Sequence, residues 1–130
     1  MNDVQTMVFD DAELVRHLDA CSDEELDSLD FGVIAFDAHG DVRRYNAFES
    51  RCAGLTPQRV LGNALFTLVA PCMNNFMVAQ RFEDAAASRS ALDATIDYVL
   101  TLRMRPVKVK LRLLADPELS HRYVLVQRAV

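Results

Sequence analysis

Long apolar runs, clustered basic residues and paired cysteines are all missing from this chain, and each absence removes a class of protein. No stretch approaches the roughly 20 apolar residues that cross a bilayer as a helix. The opening Met1-Asn-Asp-Val-Gln-Thr is acidic where a secretory signal would be basic and then apolar. A net charge of −5 without a basic block leaves no electrostatic footprint for nucleic acid or an anionic membrane. Cys21, Cys52 and Cys72 form an odd set at wide, irregular spacing, which argues against a disulfide framework and against a C-x-x-C zinc site. Reduced thiols and a cytoplasmic location are therefore expected. His17, His39 and His121 lack metal-ligand spacing and read as surface residues. There is no internal repeat, low-complexity tract or linker, and no kinase, cyclase or DNA-binding segment.

What is present suits one domain, since 130 residues at 51% apolar content can bury a core of their own. Residues 10–19 carry Ala12, Leu14, Val15 and Leu18 at the spacing of a short amphipathic helix. Residues 22–29 follow, with Ser22 and Glu25 at capping-box spacing. This helical cap, 1–30, is expected to sit as a satellite on a main domain, 31–130. The apolar run 31–36, the turn chemistry of Asp37-Ala-His-Gly40-Asp and the segment 42–45 predict a hairpin. Thr56 and Pro57 open a short helix that Gly62 closes. Phe76, Ala79, Phe82, Ala86 and Ala87 recur at helical spacing, which predicts a connecting helix over 76–87.

From Leu92 the period changes to two, with Ala94, Ile96, Tyr98, Leu100 and Leu102 on one face, then Val107, Val109, Leu111 and Leu113, and a third run at 123–126. Lys108, Lys110 and Arg112 alternate with these and read as the solvated face of a strand. Two strands, a helical middle and three further strands predict an α+β protein with a five-stranded antiparallel sheet flanked by helices.

One constellation carries chemistry. Tyr45 and Glu49 stand four residues apart, a spacing that on a helical turn points a hydroxyl and a carboxylic acid at one buried oxygen, and Cys72 after Pro71 offers a covalent handle. Each part also has an ordinary explanation. Glu49 lies at capping-box spacing from Asn46, Tyr45 at a strand end is usually a packed aromatic, Cys72 resembles any buried thiol, and Met104 resembles core filler. Cys21 and Cys52 carry no attachment context and read as inert. What separates Tyr45, Glu49 and Cys72 from their ordinary explanations is their joint occurrence in one order.

The run Tyr-Asn-Ala-Phe-Glu at 45–49, then Gly62-Asn-Ala-Leu-Phe-Thr-Leu-Val-Ala-Pro-Cys72, resembles the photoactive yellow protein family, bacterial blue-light receptors that carry 4-hydroxycinnamate as a cysteine thioester. Phe31-Gly-Val-Ile-Ala-Phe-Asp, Asp97-Tyr-Val-Leu-Thr-Leu-Arg-Met104-Arg-Pro106-Val-Lys-Val-Lys110 and the closing Tyr123-Val-Leu-Val-Gln-Arg-Ala-Val130 extend the likeness over most of the chain. The resemblance implies a PAS fold and a photoreceptor that is not an enzyme. It further implies 4-hydroxycinnamic acid (p-coumaric acid) on Cys72, a phenolic oxygen held by Tyr45 and a protonated Glu49, and a pocket shaped by Phe66, Pro71, Tyr98 and Met104.

Photoisomerisation, proton transfer from Glu49 and partial unfolding of the leading helices would form the signal. It would be read by a separate, unidentified downstream signalling protein, with the photoreceptor itself a monomer or weak dimer. Two positions depart from the pattern: Ala53 stands where a threonine usually supports the tyrosine, and Leu55 where an arginine usually covers the ring. Arg51, Arg103 and Arg105 are the candidates to replace that charge. The competing readings are a PAS interaction or small-ligand-sensing module without chromophore, and an acyltransferase with a catalytic Cys72, which lacks an evident general base.

Overall fold

The computed structural model describes residues 8–101 and 106–128, so the expectations placed on Leu102, Arg103, Met104 and Arg105 lie outside the described residues. Two short helices, α1 (Leu14–Ala20) and α2 (Asp23–Asp27), lead into the hairpin of β1 (Gly32–Phe36) and β2 (Val42–Tyr45). A helical middle follows, made of α3 (Ala47–Ala53), α4 (Pro57–Val60), a π-helical turn (Leu65–Val69), a 3-10 turn (Pro71–Met73) and α5 (Ala79–Ser88). Three long strands close the chain: β3 (Leu92–Leu100), β4 (Val107–Ala115) and β5 (Arg122–Arg128). All pairings are antiparallel, and the sheet order is β2-β1-β5-β4-β3.

β1 is buried along its whole length because both faces of the sheet are covered. The pleat sends alternate residues to opposite sides. Ile34, Phe36, Tyr98, Leu111, Leu113, Val124 and Val126 form the front core with Val60, Leu65, Met73, Val78 and Phe82 of the helical middle. Val33, Ala35, Leu114, Tyr123 and Leu125 form a back core with Phe9, Leu14, Leu18, Leu26, Leu29 and Phe31. The leading helices pack on the sheet through this back core, in which Leu29 and Phe31 are buried together.

Polar groups fix this attachment. Ser22 and Glu25 complete the predicted capping box, with bonds of 3.1 and 2.8 Å. Arg44 donates to the carbonyls of Leu18 and Cys21 at the open C-terminal end of α1, to Asp23 at 3.0 Å and to the Tyr123 hydroxyl at 3.2 Å. Arg112 departs from the solvated position expected of it. Its side chain is buried against the leading segment, donates to the carbonyls of Phe9 and Asp11 at 2.7 and 2.8 Å, and forks onto Asp93. Lys108 and Lys110 on the same strand are exposed as expected.

The connecting helix begins later than its periodicity predicts. The Asn75 carboxamide oxygen accepts from the amides of Met77 and Val78, a local turn that competes with the helix, so α5 starts at Ala79 and Phe76 is left 79% exposed. Ala79, Phe82 and Ala85 are its buried positions, whereas Ala86 and Ala87 face solvent.

Candidate functional site

Tyr45 is the last residue of β2 and Asn46 is the N-cap of α3, so the helical-turn argument for bringing Tyr45 and Glu49 together does not hold. A strand-to-helix corner does this instead. Asn46 is fully buried and uses its whole carboxamide: the oxygen accepts from Val33 and Glu49 amides at 2.9 and 3.1 Å, and the nitrogen donates to the Leu26 and Phe31 carbonyls at 2.9 and 3.0 Å. One side chain thereby ties α2, β1 and α3. The ordinary explanation of Glu49 is half realised, since its amide is capped by Asn46 while its carboxylate goes elsewhere.

That carboxylate lies under α3, 2% exposed, in the space left by the missing side chain of Gly32, where an added Cβ would collide with Oε1. Arg128, at the end of β5, donates to it through both terminal nitrogens, at 2.8 Å to Oε1 and 3.1 Å to Oε2. Burial pushes the Glu49 carboxyl above the usual carboxylate range, and the Arg128 guanidinium pulls it part of the way back. The Tyr45 hydroxyl is likewise pushed well above the usual phenol range, mainly by burial and then by the nearby Glu49 charge. It has no hydrogen-bond partner among the described residues, although the ring belongs to the front core.

Cys72 occupies the middle of the 3-10 turn, half-buried and in contact with the front core, and Pro71 opens that turn from an exposed position. A turn of this length supplies little helix dipole to the thiol. The Tyr98 hydroxyl holds the turn by donating to the Cys72 carbonyl at 2.6 Å, and Asn75 donates to both that carbonyl and Tyr98, at 3.2 and 2.6 Å. Phe66 packs edge-on to Phe36 at 5.4 Å and borders a cavity of about 300 Å³ that Phe36 and Phe82 also line. Leu55 packs on the same core from beyond α3.

Tyr45 and Tyr98 thus belong to the front core, against which Leu55, Phe66 and Cys72 pack, with Glu49 beside Tyr45. Cys21 and Cys52 stand apart from the Cys72 turn, half-buried on the back core and exposed on α3 respectively. No group of three or more metal-ligating side chains exists among the described residues. No helix among them is long and apolar enough to cross a membrane.

Comparison with known proteins places this geometry. A family model described as PAS fold matches residues 26–127. Photoactive yellow protein of Halochromatium salexigens is 35% identical over 105 residues, 81% of this chain and 83% of the relative. The chain belongs to the photoactive yellow protein family. Photoactive yellow protein of Rhodothalassium salexigens is 36% identical over 70% of this chain and 72% of the relative. A solved photoactive yellow protein domain from the sensor histidine kinase Ppr of Rhodospirillum centenum superposes with a TM-score of 0.79 at 36% identity, covering 87% of this chain and 98% of that one. The Cronobacter turicensis RpfR PAS domain, at 16% identity and a TM-score of 0.61, shares the fold. The chain is therefore a PAS-fold sensor module of the photoactive yellow protein family.

Sequence reading missed three residues that build this site. Arg128 lies one position beyond the span that matches the PAS model, yet it shares the parity of Val124 and Val126 and so sits on the core-facing register of β5. A charge on that register was the available signal. Gly32 inside a strand is a known mark of close approach by another group. Asn75 offered only its turn propensity.

Proposed function

We propose that this protein is a blue-light photoreceptor that binds 4-hydroxycinnamic acid as a thioester on Cys72. The observation that carries this reading is the Tyr45 hydroxyl, which has no hydrogen-bond partner among the described residues, on a ring of the apolar core against which Cys72 packs and next to a carboxyl raised by burial. These groups fit a phenol ligand: a donor with no partner among the described residues, a second donor available when protonated, and a thiol in contact with the same core. When bound, the group supplies blue absorption and a vinyl bond that light isomerises.

The chain supplies the rest. The Cys72 sulfur would lose its proton and displace the leaving group of an activated 4-hydroxycinnamoyl donor to give the thioester, while Tyr98 and Asn75 hold the backbone of its turn in place. Tyr45 Oη and the protonated Glu49 carboxyl donate to the phenolic oxygen, and such bonds to an anion are about twice as strong as neutral ones. The front core excludes water, which strengthens both bonds. On illumination Glu49 gives up its proton from a carboxyl oxygen. The charge left behind loosens α1 and α2, and a signalling protein reads the change, in keeping with a relative that is a domain of a sensor histidine kinase.

The test is reconstitution with activated 4-hydroxycinnamate followed by intact-mass and absorption spectra. One adduct on Cys72 and a yellow product are expected, with Cys72→Ala folded and colourless. Absence of the adduct, or its location on Cys21 or Cys52, would overturn the reading.

A further inference from the structure

The Glu49–Arg128 pair does not serve the donor chemistry just described. A carboxylate held by both nitrogens of a guanidinium has no proton to give, and a buried ion pair of this geometry resists opening because separation would strand one charge. Arg128 remains protonated throughout, since a guanidinium does not titrate in proteins. Among the described residues the site therefore contains one permanent positive charge and, with Tyr45 neutral, one negative charge to match it.

We propose that Arg128 is the fixed counter-ion of a single negative charge that rests on Glu49 when the site is empty and moves onto the phenolic oxygen when the ligand is bound. This rests on the proposed function. The step balances without any added reagent. The ligand's O–H bond breaks, the Glu49 carboxylate oxygen takes that proton, and the negative charge passes from carboxylate to phenolate. Net charge within the site is unchanged, because Arg128 compensates whichever oxygen is ionised.

Three features of the molecule favour this arrangement. Leu55 puts an apolar side chain where the family pattern would put a cation, and of the candidate replacements Arg51 lies over the Phe48 ring at 5.7 Å on an exposed face of α3, while Arg103 and Arg105 lie outside the described residues. Arg128 approaches from the central strand of the sheet, an anchored position from which a charge can act on both oxygens. Among the described residues, the other titratable groups in range are Tyr45 from β2 and Cys52 from α3, neither of which carries positive charge. A consequence follows for illumination: when Glu49 gives up its proton, its carboxylate falls back into the fork of Arg128. The counter-ion should then make the proton transfer more favourable and limit the unfolding that follows.

The experiment uses the full chain, with Arg128→Gln and Arg128→Lys beside the wild type. In the ligand-free proteins, carbon-13 NMR of the Glu49 carboxyl should show its titration midpoint raised by at least about one unit, tenfold in proton affinity, in Arg128→Gln and restored in large part in Arg128→Lys. In the proteins loaded with 4-hydroxycinnamate, the neutral-to-anionic absorption change should move upward by a similar amount in Arg128→Gln. A Glu49 midpoint that stays put in the ligand-free variant overturns the pairing. Loaded wild type and variant with the same absorption midpoint overturn the counter-ion role while leaving the photoreceptor reading intact. Failure of the wild type to form any adduct on Cys72 overturns the photoreceptor reading, and this inference with it.

Discussion

On the back of the sheet the inward-facing cations join backbone to exposed carboxylates: Arg44 fills the open carbonyls of α1 and reaches Asp23, and Arg112 fills those of Phe9 and Asp11 and forks onto Asp93. On the front, the buried cation Arg128 is directed at a titratable side chain, and the neighbouring Tyr45 hydroxyl has no described partner. Both faces bury apolar residues to a similar depth, so packing does not distinguish them. The difference lies in whether polar groups can change state. Backbone carbonyls and exposed carboxylates hold the back face together as a lock, whereas a carboxyl buried beside a phenol makes the front face a place where a proton can move.

If the back face is a lock shared between cap and sheet, removing one of its leucines should cost as much as in any core. Leu18, fully buried between α1 and the sheet, is the probe. Leu18→Ala is expected to lower unfolding stability by about 2–5 kcal/mol in urea titrations. A loss below about 1 kcal/mol, the range of surface substitutions, would mean that the leading helices are a satellite after all.

The front face is broken by a single methyl group. Gly32→Ala places a Cβ against Glu49 Oε1, with the sheet on one side and α3 on the other, so the carboxylate must leave its fork. We expect a destabilisation of about 1–3 kcal/mol, the usual cost of overfilling a well-packed site. In a Glu49→Ala background, which carries its own cost from the unpaired Arg128, the same glycine substitution should cost much less, because the collision is with Glu49. An equal cost in both backgrounds would locate the strain elsewhere.

Much of the fold was legible because strand burial writes itself into the sequence. The run 31–36 is apolar throughout and proved to be β1, covered on both faces, and the capping box at Ser22 formed as spaced. The errors share a cause, which is that periodicity does not reveal what lies opposite. Arg112 fell on a polar register, and only the leading segment folding over it made that position buried. Phe76 fitted a helical stripe, but Asn75 turned the chain before the helix could include it. Tyr45 and Glu49 were paired by a spacing argument that does not apply across a strand-to-helix corner, and Glu49's partner Arg128 is 79 residues away, beyond any local rule.

The two faces should also differ from the hairpin turn in their response to pH. Glu49 is raised above its ordinary value in the folded protein, so its contribution to stability is present below the unfolded carboxylate pKa and is lost as pH rises through the folded value. Asp37, held by Arg43 and by turn amides, is lowered to about 2, so its contribution is present above the ordinary value of 3.8 and is lost as pH falls toward 2. Urea midpoints measured across pH should show Glu49→Gln flattening the limb above the ordinary carboxylate range and Asp37→Asn flattening the acid limb. Identical pH profiles for wild type and Glu49→Gln would mean that the buried carboxyl is not perturbed.

The smallest expected effect sharpens the comparison furthest. Leu55 packs on the front core where the family pattern would place an arginine. If Arg128 already balances the one negative charge of the site, adding a second cation in Leu55→Arg has little left to neutralise, and it must also bring a guanidinium into an apolar contact. The absorption midpoint of the loaded protein should then fall by less than about half a unit, roughly threefold in proton affinity. In an Arg128→Gln background the same substitution faces an uncompensated anion and should lower the midpoint by about one unit or more. The two changes would be non-additive in the sense expected of groups that act on one charge. Equal shifts in both backgrounds would show that positions 55 and 128 act on the phenolic oxygen independently, and that Arg128 does not stand in for the missing cation.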